Sequence, residues 1–231
     1  SRMGFTEKTQ VFLIAAWYKE LNEAFGERGQ RAFVLAVKHY ARQRGERMAQ
    51  RAVRDGQELN YASYCAYCEW APSEETLAGG EECVSHLRST APDYVYEVYP
   101  CVWFTAFTQQ NALEAGRLYC RHLDEAIARA FSSSLQFYTV ETQHCADRCV
   151  FCIRDAGFGP DTVVQRRTEY VKGFDYHCAH TFYAFAETAA GVFGRPGEAL
   201  AARVLAAFEA EYGPEMRRQL EAFASENFDR A

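Results

Sequence analysis

The chain contains 231 residues, of which 48% are hydrophobic, 15% aromatic and 24% charged, so it can bury a substantial core. This composition excludes a disordered or fibrous chain. The formal net charge of −6 argues against a nucleic-acid-binding protein, because surfaces that bind phosphates usually carry a basic stripe.

The apolar runs and the cysteines indicate the compartment and the partners. The run at residues 11–18 is far shorter than the ~20 apolar residues that a membrane span needs, and the first residues show no signal-peptide pattern. An odd count of nine cysteines in a chain of this size predicts reduced thiols rather than a disulfide framework. We therefore expect a cytoplasmic protein that binds a small-molecule substrate but neither nucleic acid nor a membrane. Its aromatic content is compatible with a homo-oligomer.

Two long helices are predicted at the start of the chain. Thr6 is a suitable N-cap for the first helix, and Gly26 ends it. A second helix is predicted from about Gln30 to Asp55, with Gly56 as its terminator. Gly45 lies inside this helix, where glycine costs about 1 kcal/mol relative to alanine, so we expect either a kink or a close contact there.

The middle of the chain predicts a strand and a further helix. Residues 71–89, which contain proline and glycine, predict a loop or linker. Residues 94–99 alternate β-favouring side chains and predict a strand that Pro100 ends. Asn111 is expected to cap a helix that runs to Phe131.

The remaining elements complete the predicted fold. Residues 135–141 and 150–154 predict the two strands of a β-hairpin. Two terminal helices, separated at Gly213, follow the stretch at residues 173–185. These elements predict an α+β fold, with a small antiparallel sheet packed by several helices and with helical N- and C-terminal segments. We expect residues 1–231 to form a single domain.

The stretch GFDYHCAHTFYAF at residues 173–185 concentrates side chains that can carry out chemistry. His177 and His180 are three residues apart, so they share one face of a helix, and neutral imidazole is a good ligand for zinc. Asp175 adds an oxygen ligand. One interpretation of the stretch is therefore a metal site.

Two other interpretations of the same stretch compete with a metal site. Cys178 can be a nucleophile whose thiolate is favoured by the neighbouring imidazolium of His177. Alternatively, the stretch packs into a core, because Tyr176, His180 and Tyr183 recur at helical spacing. The residue types alone favour the core over the nucleophile, and the nucleophile over the metal site.

Other cysteines also suggest sites. Cys145, Cys149 and Cys152 have the spacing of an iron–sulfur motif. However, Cys149 and Cys152 fall in a predicted strand, where residues three apart point to opposite faces, so we interpret the spacing as coincidence. Cys120 and Asp124 are one turn apart on a predicted helix and can therefore face a pocket together.

Several segments carry a family resemblance. In chain order they read KHYARQRGERMAQRAVRDGQELNYASYCAYCEW, CVWFTAF, EAGRLYCRHLDEAIARAF, LQFYTVET and CVF. The patterns RGxRMAxRA and YCxxxDEAxxRxF within them are fairly specific. By these segments the chain resembles the L-2-amino-thiazoline-4-carboxylic acid hydrolase family. The resemblance implies a family-like core over about residues 30–155 and a helical C-terminal extension, residues 156–231, that contributes to the site.

The resemblance implies ring-opening hydrolysis of a cyclic isothiourea that bears a carboxylate, on the way to cysteine. Such chemistry needs a nucleophile that attacks the amidine carbon, together with proton donors and acceptors. It therefore favours a catalytic set of Cys178, His177, His180 and Asp175. Cys149 is the main rival nucleophile, because it matches the family's Cys-x-Phe strand.

The remaining expectations concern substrate contacts and rival functions. Cys101 and Cys120 also match the family pattern, but a small buried thiol explains each of them more simply. We expect no metal and no cofactor. The rival functions are a non-catalytic small-molecule-binding or sensor domain, and a metal-dependent hydrolase that uses His177 and His180. The expected substrate-binding residues are Arg47, Asn60, Tyr64, Tyr176 and Tyr183, although Arg47 fits an exposed helix charge equally well.

Overall fold

The computed structural model describes residues 4–231 and confirms the predicted α+β fold. Within these residues, the fold consists of nine α-helices and one four-stranded antiparallel sheet. The helices are α1 (Glu7–Phe25), α2 (Glu27–Arg54), α3 (Tyr61–Ala66), α4 (Glu74–Ala78), α5 (Val102–Gln109), α6 (Leu113–Phe131), α7 (Phe174–Phe193), α8 (Arg195–Tyr212) and α9 (Pro214–Glu221). The strands are β1 (Ser85–Ser89), β2 (Tyr94–Val98), β3 (Gln136–Glu141) and β4 (Cys149–Arg154).

The ends of the first two helices follow the predicted capping residues. The backbone N–H of Thr6 donates to the Thr9 hydroxyl at 3.1 Å, which satisfies one polar group at the start of α1. Gly26 has a φ of 58° and ends α1, because a glycine adopts this left-handed conformation without steric cost. The second helix starts at Glu27, three residues earlier than expected, and ends at Arg54.

Gly45 makes a close helix contact rather than a kink. A Cβ atom at this position would lie 2.3 Å from the carbonyl oxygen of Ile127 on α6, which only glycine avoids. The helix continues unbroken through this residue. The close approach of α2 and α6 places Arg44 and Asp124 on the walls of one cavity.

The sheet has the strand order β1-β2-β4-β3, with every neighbouring pair antiparallel. The predicted hairpin of β3 and β4 is confirmed, with Gln136 opposite Arg154. In β4 the side chains of Cys149, Phe151 and Ile153 are buried, and those between them are more exposed. Cys149 and Cys152 therefore point to opposite faces of the sheet, as expected.

Two predictions for the middle of the chain were wrong, one on a loop and one on an N-cap residue. Residues 71–89 are not a simple loop, because they contain α4 and β1. The hydroxyl of Ser73 accepts the N–H of Thr76 at 3.2 Å and caps α4. Helix α6 has Ala112 as its N-cap, while Asn111 precedes the cap with a φ of 54°, a conformation that asparagine tolerates better than most residues.

The buried apolar side chains form two clusters on either side of α2 and α6. One cluster joins α1, α2, α7 and α8, and includes Trp17, Tyr40 and Phe185. The other joins α2, α3 and α6 to the sheet, and includes Phe131 and Phe137. No helix within residues 4–231 combines the length and the apolar character that crossing a membrane requires.

Candidate active site

The histidine and cysteine stretch forms α7 in the interior of the protein. Cys178 is fully buried among apolar side chains, and this burial raises the pKa of its thiol well above the ordinary value. His177 is 1% exposed, and burial lowers the pKa of its imidazole to about 3. A neutral thiol beside a neutral imidazole is typical of packing rather than of an activated nucleophile. The catalytic role of Cys178 and His177 stays a prediction, and their burial does not support it.

His180 and Arg47 belong to a buried polar cluster. The Nε2 atom of His180 lies 2.7 Å from the side-chain oxygen of Gln43. The Arg47 guanidinium donates two hydrogen bonds to Glu69, at 2.9 and 2.8 Å, and one to the carbonyl of Phe228 at 2.6 Å. Arg47 is fully buried, so its interpretation as an exposed helix charge was wrong.

The other predicted site residues are divided between capping, packing and a cavity. Asn60 accepts the N–H of Ser63 at 2.9 Å and caps α3. The exposed carboxylate of Asp175 accepts the N–H of Tyr176 at 2.9 Å, at the start of α7. The rings of Tyr176 and Tyr183 pack around Phe228, with centroids 5.3 and 6.4 Å away. These contacts do not bring the predicted set together into one site.

In the described part of the chain, no group of three or more His, Cys, Asp or Glu side chains is arranged to hold a metal ion. Among the described residues, no side chain is a hydrogen-bond partner for the ring nitrogens of His177, and the Nε2 atom of His180 is engaged by Gln43. The arrangement therefore gives no support to a metal-dependent hydrolase that uses these two histidines.

A cavity of about 370 Å³ lies between α2, α3, α5, α6 and the sheet. Six of the nine cysteines in the chain line it, and we call it the cysteine cavity. Asp124 lines it as well as Cys120, so the prediction that these two side chains face a pocket is confirmed. Tyr64, a predicted substrate contact, also lines the cavity. The six cysteines are Cys65, Cys68, Cys83, Cys101, Cys120 and Cys149.

Three buried polar atoms around the cysteine cavity have no hydrogen-bond partner within residues 4–231. They are the side-chain oxygen of Gln10, the Nε atom of Arg44 and the indole nitrogen of Trp70. Buried polar groups in folded proteins are almost always paired, and each unpaired group costs roughly 1–3 kcal/mol. The three residues that carry these atoms line the cavity, which therefore has polar groups as well as apolar ones in its walls.

Cys101 has the surroundings of a reactive thiol. It is the N-cap residue of α5, and its sulfur lies 3.6 Å from the sulfur of Cys83. Donation from the Cys83 thiol, together with the backbone N–H groups of Phe104 and Trp103, lowers the pKa of Cys101 in spite of its burial. A helix N-terminus also favours the negative charge of a thiolate.

The other thiols around the cavity differ from Cys101. Burial raises the pKa of Cys65 and of Cys149 to about 11. Burial also raises the pKa of Cys120. Among the cavity thiols with these shifts, Cys101 is the one whose pKa is lowered, so more of it is ionised at a given pH. The explanation of Cys101 as a small core thiol overlooked that the residue begins a helix directly after Pro100.

The cavity also holds a cation and a carboxyl group. Burial opposes the charge of Arg44, but the ionisable side chains of Tyr40, Cys68 and Glu69 raise its pKa, so Arg44 stays positive. Burial raises the pKa of Asp124 to about 6, and the charge of Arg44 partly counteracts this shift. A cation, a carboxyl group with a pKa of about 6 and a thiol with a lowered pKa thus surround one ligand-sized space.

A comparison with known protein families gave a match. A family model described as L-2-amino-thiazoline-4-carboxylic acid hydrolase matches residues 5–153. This range contains Arg44, Cys101 and Asp124, whereas α7 lies beyond its end. Neither the comparison with curated proteins nor the comparison with solved structures gave a match.

Proposed function

Because the chain belongs to the L-2-amino-thiazoline-4-carboxylic acid hydrolase family, we propose that it hydrolyses a small cyclic amidine or isothiourea that bears a carboxylate. The observation that supports this proposal is the cysteine cavity. It lies almost entirely within the residues that the family model matches, and it combines an activated thiol, a cation and a protonatable carboxyl group.

Arg44 is our candidate for binding the substrate carboxylate. A guanidinium presents its N–H groups as a planar fork that matches the two oxygens of a carboxylate. Arg44 lines the cavity and keeps its positive charge, so its guanidinium can attract an incoming carboxylate. Gln10 and Trp70 line the same cavity with further polar side chains.

Cys101 is our candidate nucleophile. Its thiolate attacks the amidine carbon between the ring sulfur and the ring nitrogen, and forms a tetrahedral intermediate. The bond from this carbon to the ring nitrogen then breaks. Asp124, with a pKa of about 6, donates a proton to the departing nitrogen. Water attacks the same carbon next, gives a proton back to Asp124 and releases the Cys101 thiolate.

The test compares two cysteine variants on 2-amino-thiazoline-4-carboxylate, with the ring-opened product measured by mass spectrometry. We expect Cys101→Ala to lower kcat/KM by roughly 10³-fold or more, because the nucleophile is lost. Cys178→Ala is the matched control and should retain activity. If Cys178→Ala loses the activity and Cys101→Ala keeps it, the nucleophile belongs to α7 instead. Binding of the thiazoline without any turnover would favour a sensor domain.

A further inference from the structure

The cysteine cavity is larger than the substrate named by the family. Its volume is about 370 Å³. 2-Amino-thiazoline-4-carboxylic acid has nine non-hydrogen atoms, and even at the ~30 Å³ that one water occupies in the liquid they would fill only about 270 Å³. Covalently bonded atoms are packed more closely than waters, so the cavity has room for more than this compound.

The surplus space is lined by apolar and aromatic side chains. Tyr61 and Tyr64 of α3 contribute rings whose centroids are 5.9 Å apart and nearly parallel. Tyr96 of β2 and Phe151 of β4 form a second stacked pair at 5.1 Å. Ile127 of α6 also lines the cavity. We call these five side chains the aromatic wall.

Ring faces make up most of the aromatic wall. Besides them the wall has the aliphatic side chain of Ile127 and the phenol hydroxyls of Tyr61, Tyr64 and Tyr96, so much of its surface cannot supply the two to four polar partners that a buried water needs. The fully buried polar atoms that lack a partner within residues 4–231 and belong to cavity residues are on Gln10, Arg44 and Trp70, outside this wall. A flat apolar group packs well between stacked aromatic pairs.

We propose that the natural substrate is a cyclic amidine carboxylate that carries an additional planar apolar substituent, which packs on the aromatic wall. This inference rests on the proposed function, because Arg44 and Cys101 fix the carboxylate and the amidine carbon. The positions left free for the substituent are the ring carbon next to sulfur and the exocyclic nitrogen.

The experiment measures kcat/KM for three compounds with the wild-type protein. They are 2-amino-thiazoline-4-carboxylate, its 5-phenyl derivative and the derivative with a phenyl group on the exocyclic nitrogen. We expect at least one phenyl derivative to exceed the unsubstituted acid about 10-fold or more, since pocket contacts of one or more apolar groups discriminate substrates by this amount.

Variants then locate the substituent. We expect Tyr64→Ala to reduce the ratio of the two kcat/KM values, phenyl derivative over unsubstituted acid, about 10-fold. Phe151→Leu tests the opposite side of the wall in case Tyr64→Ala folds poorly. Tyr138→Ala is the matched control, because this tyrosine lies on β3 at 38% exposure and outside the cavity. Its ratio should not change.

The outcomes separate this inference from the proposed function. Equal or better turnover of the unsubstituted acid would overturn the inference and leave the proposed function in place. An unchanged ratio in both wall variants would also overturn it. Failure to hydrolyse any of the three compounds would overturn the proposed function and this inference together.

Discussion

Asp124 is a residue whose environment controls both the stability of the protein and the chemistry that we propose for it. Burial raises its pKa to about 6 in the folded protein, against about 4 in the unfolded chain. The folded protein therefore binds the proton more tightly than the unfolded chain does. The stability that this protonation contributes is fully present below about pH 4 and is lost as the pH rises to about 6.

We expect Asp124→Asn to raise the free energy of unfolding by about 2 kcal/mol at about pH 8 and by much less at about pH 4. The reason is that asparagine removes a buried negative charge that exists only at the higher pH. Urea unfolding at both pH values measures the difference. The same variant should lose hydrolytic activity, because it cannot donate the proton. An equal change in stability at both pH values would contradict the raised pKa.

The sequence predicted that Cys120 and Asp124 face a pocket, because the geometry of this pair is local. Cys120 and Asp124 are four residues apart on one helix, and this spacing alone places them on one face. The depth of burial of Cys178 depends on how α1, α2 and α8 surround α7, which no local pattern encodes. Cys101 and Cys83 are 18 residues apart, and the sheet folds them together. Such a pair could not be predicted from spacing.

At the scale of elements, the contact of α2 with α6 determines the shape of the cysteine cavity. We expect Gly45→Ala to lower the free energy of unfolding by about 3 kcal/mol, because its methyl group would lie 2.3 Å from the carbonyl oxygen of Ile127. The two helices would have to separate. Urea unfolding by circular dichroism measures the loss.

Gly191→Ala is the matched control for this substitution. Gly191 lies inside α7, and a Cβ atom there would have no neighbour within 4 Å. Alanine should therefore stabilise the protein by up to about 1 kcal/mol through its higher helix propensity. If both glycine variants behaved alike, helix propensity and not the close contact would explain the effect of Gly45.

The predictions of secondary structure were correct where the residues at the ends of an element and the periodicity of its side chains agreed. Thr6 and Gly26 marked both ends of α1, and the hairpin of β3 and β4 showed alternating side chains. Strand β1 was missed because nearly all of its residues are exposed at the edge of the sheet, so its side chains do not alternate between apolar and polar. Helix α4 has only five residues, too few to show helical periodicity.

At the scale of the whole molecule, one buried acid joins distant parts of the chain. Glu69 accepts hydrogen bonds from Arg47 and Arg51 of α2, and Arg47 also binds the carbonyl of Phe228 near the C-terminus. Burial alone would raise the pKa of Glu69, but Arg47, Arg51 and the nearby charge of Arg44 lower it to about 2. The stability that the ionised Glu69 contributes to the folded protein is present above about pH 4 and is lost as the pH falls towards 2.

We expect Glu69→Gln to lower the free energy of unfolding by about 3–5 kcal/mol, because two buried guanidinium groups would lose their counter-charge. Thermal or urea unfolding near neutral pH measures the change. Glu114→Gln is the control, since Glu114 is 51% exposed and pairs with Arg117 on the surface. Its loss should stay below about 1 kcal/mol. Comparable losses in both variants would refute the importance of the buried cluster.

The closeness of Cys83 to the candidate nucleophile makes the protein vulnerable to oxidants. A peroxide converts a thiolate such as that of Cys101 into a sulfenic acid, and a neighbouring thiol condenses with it to form a disulfide and water. The two sulfur atoms are 3.6 Å apart and need to approach to about 2 Å. In the mechanism that we propose, this disulfide would remove the nucleophile until a reductant restored both thiols. Activity would then be lost on oxidation and regained with a reductant.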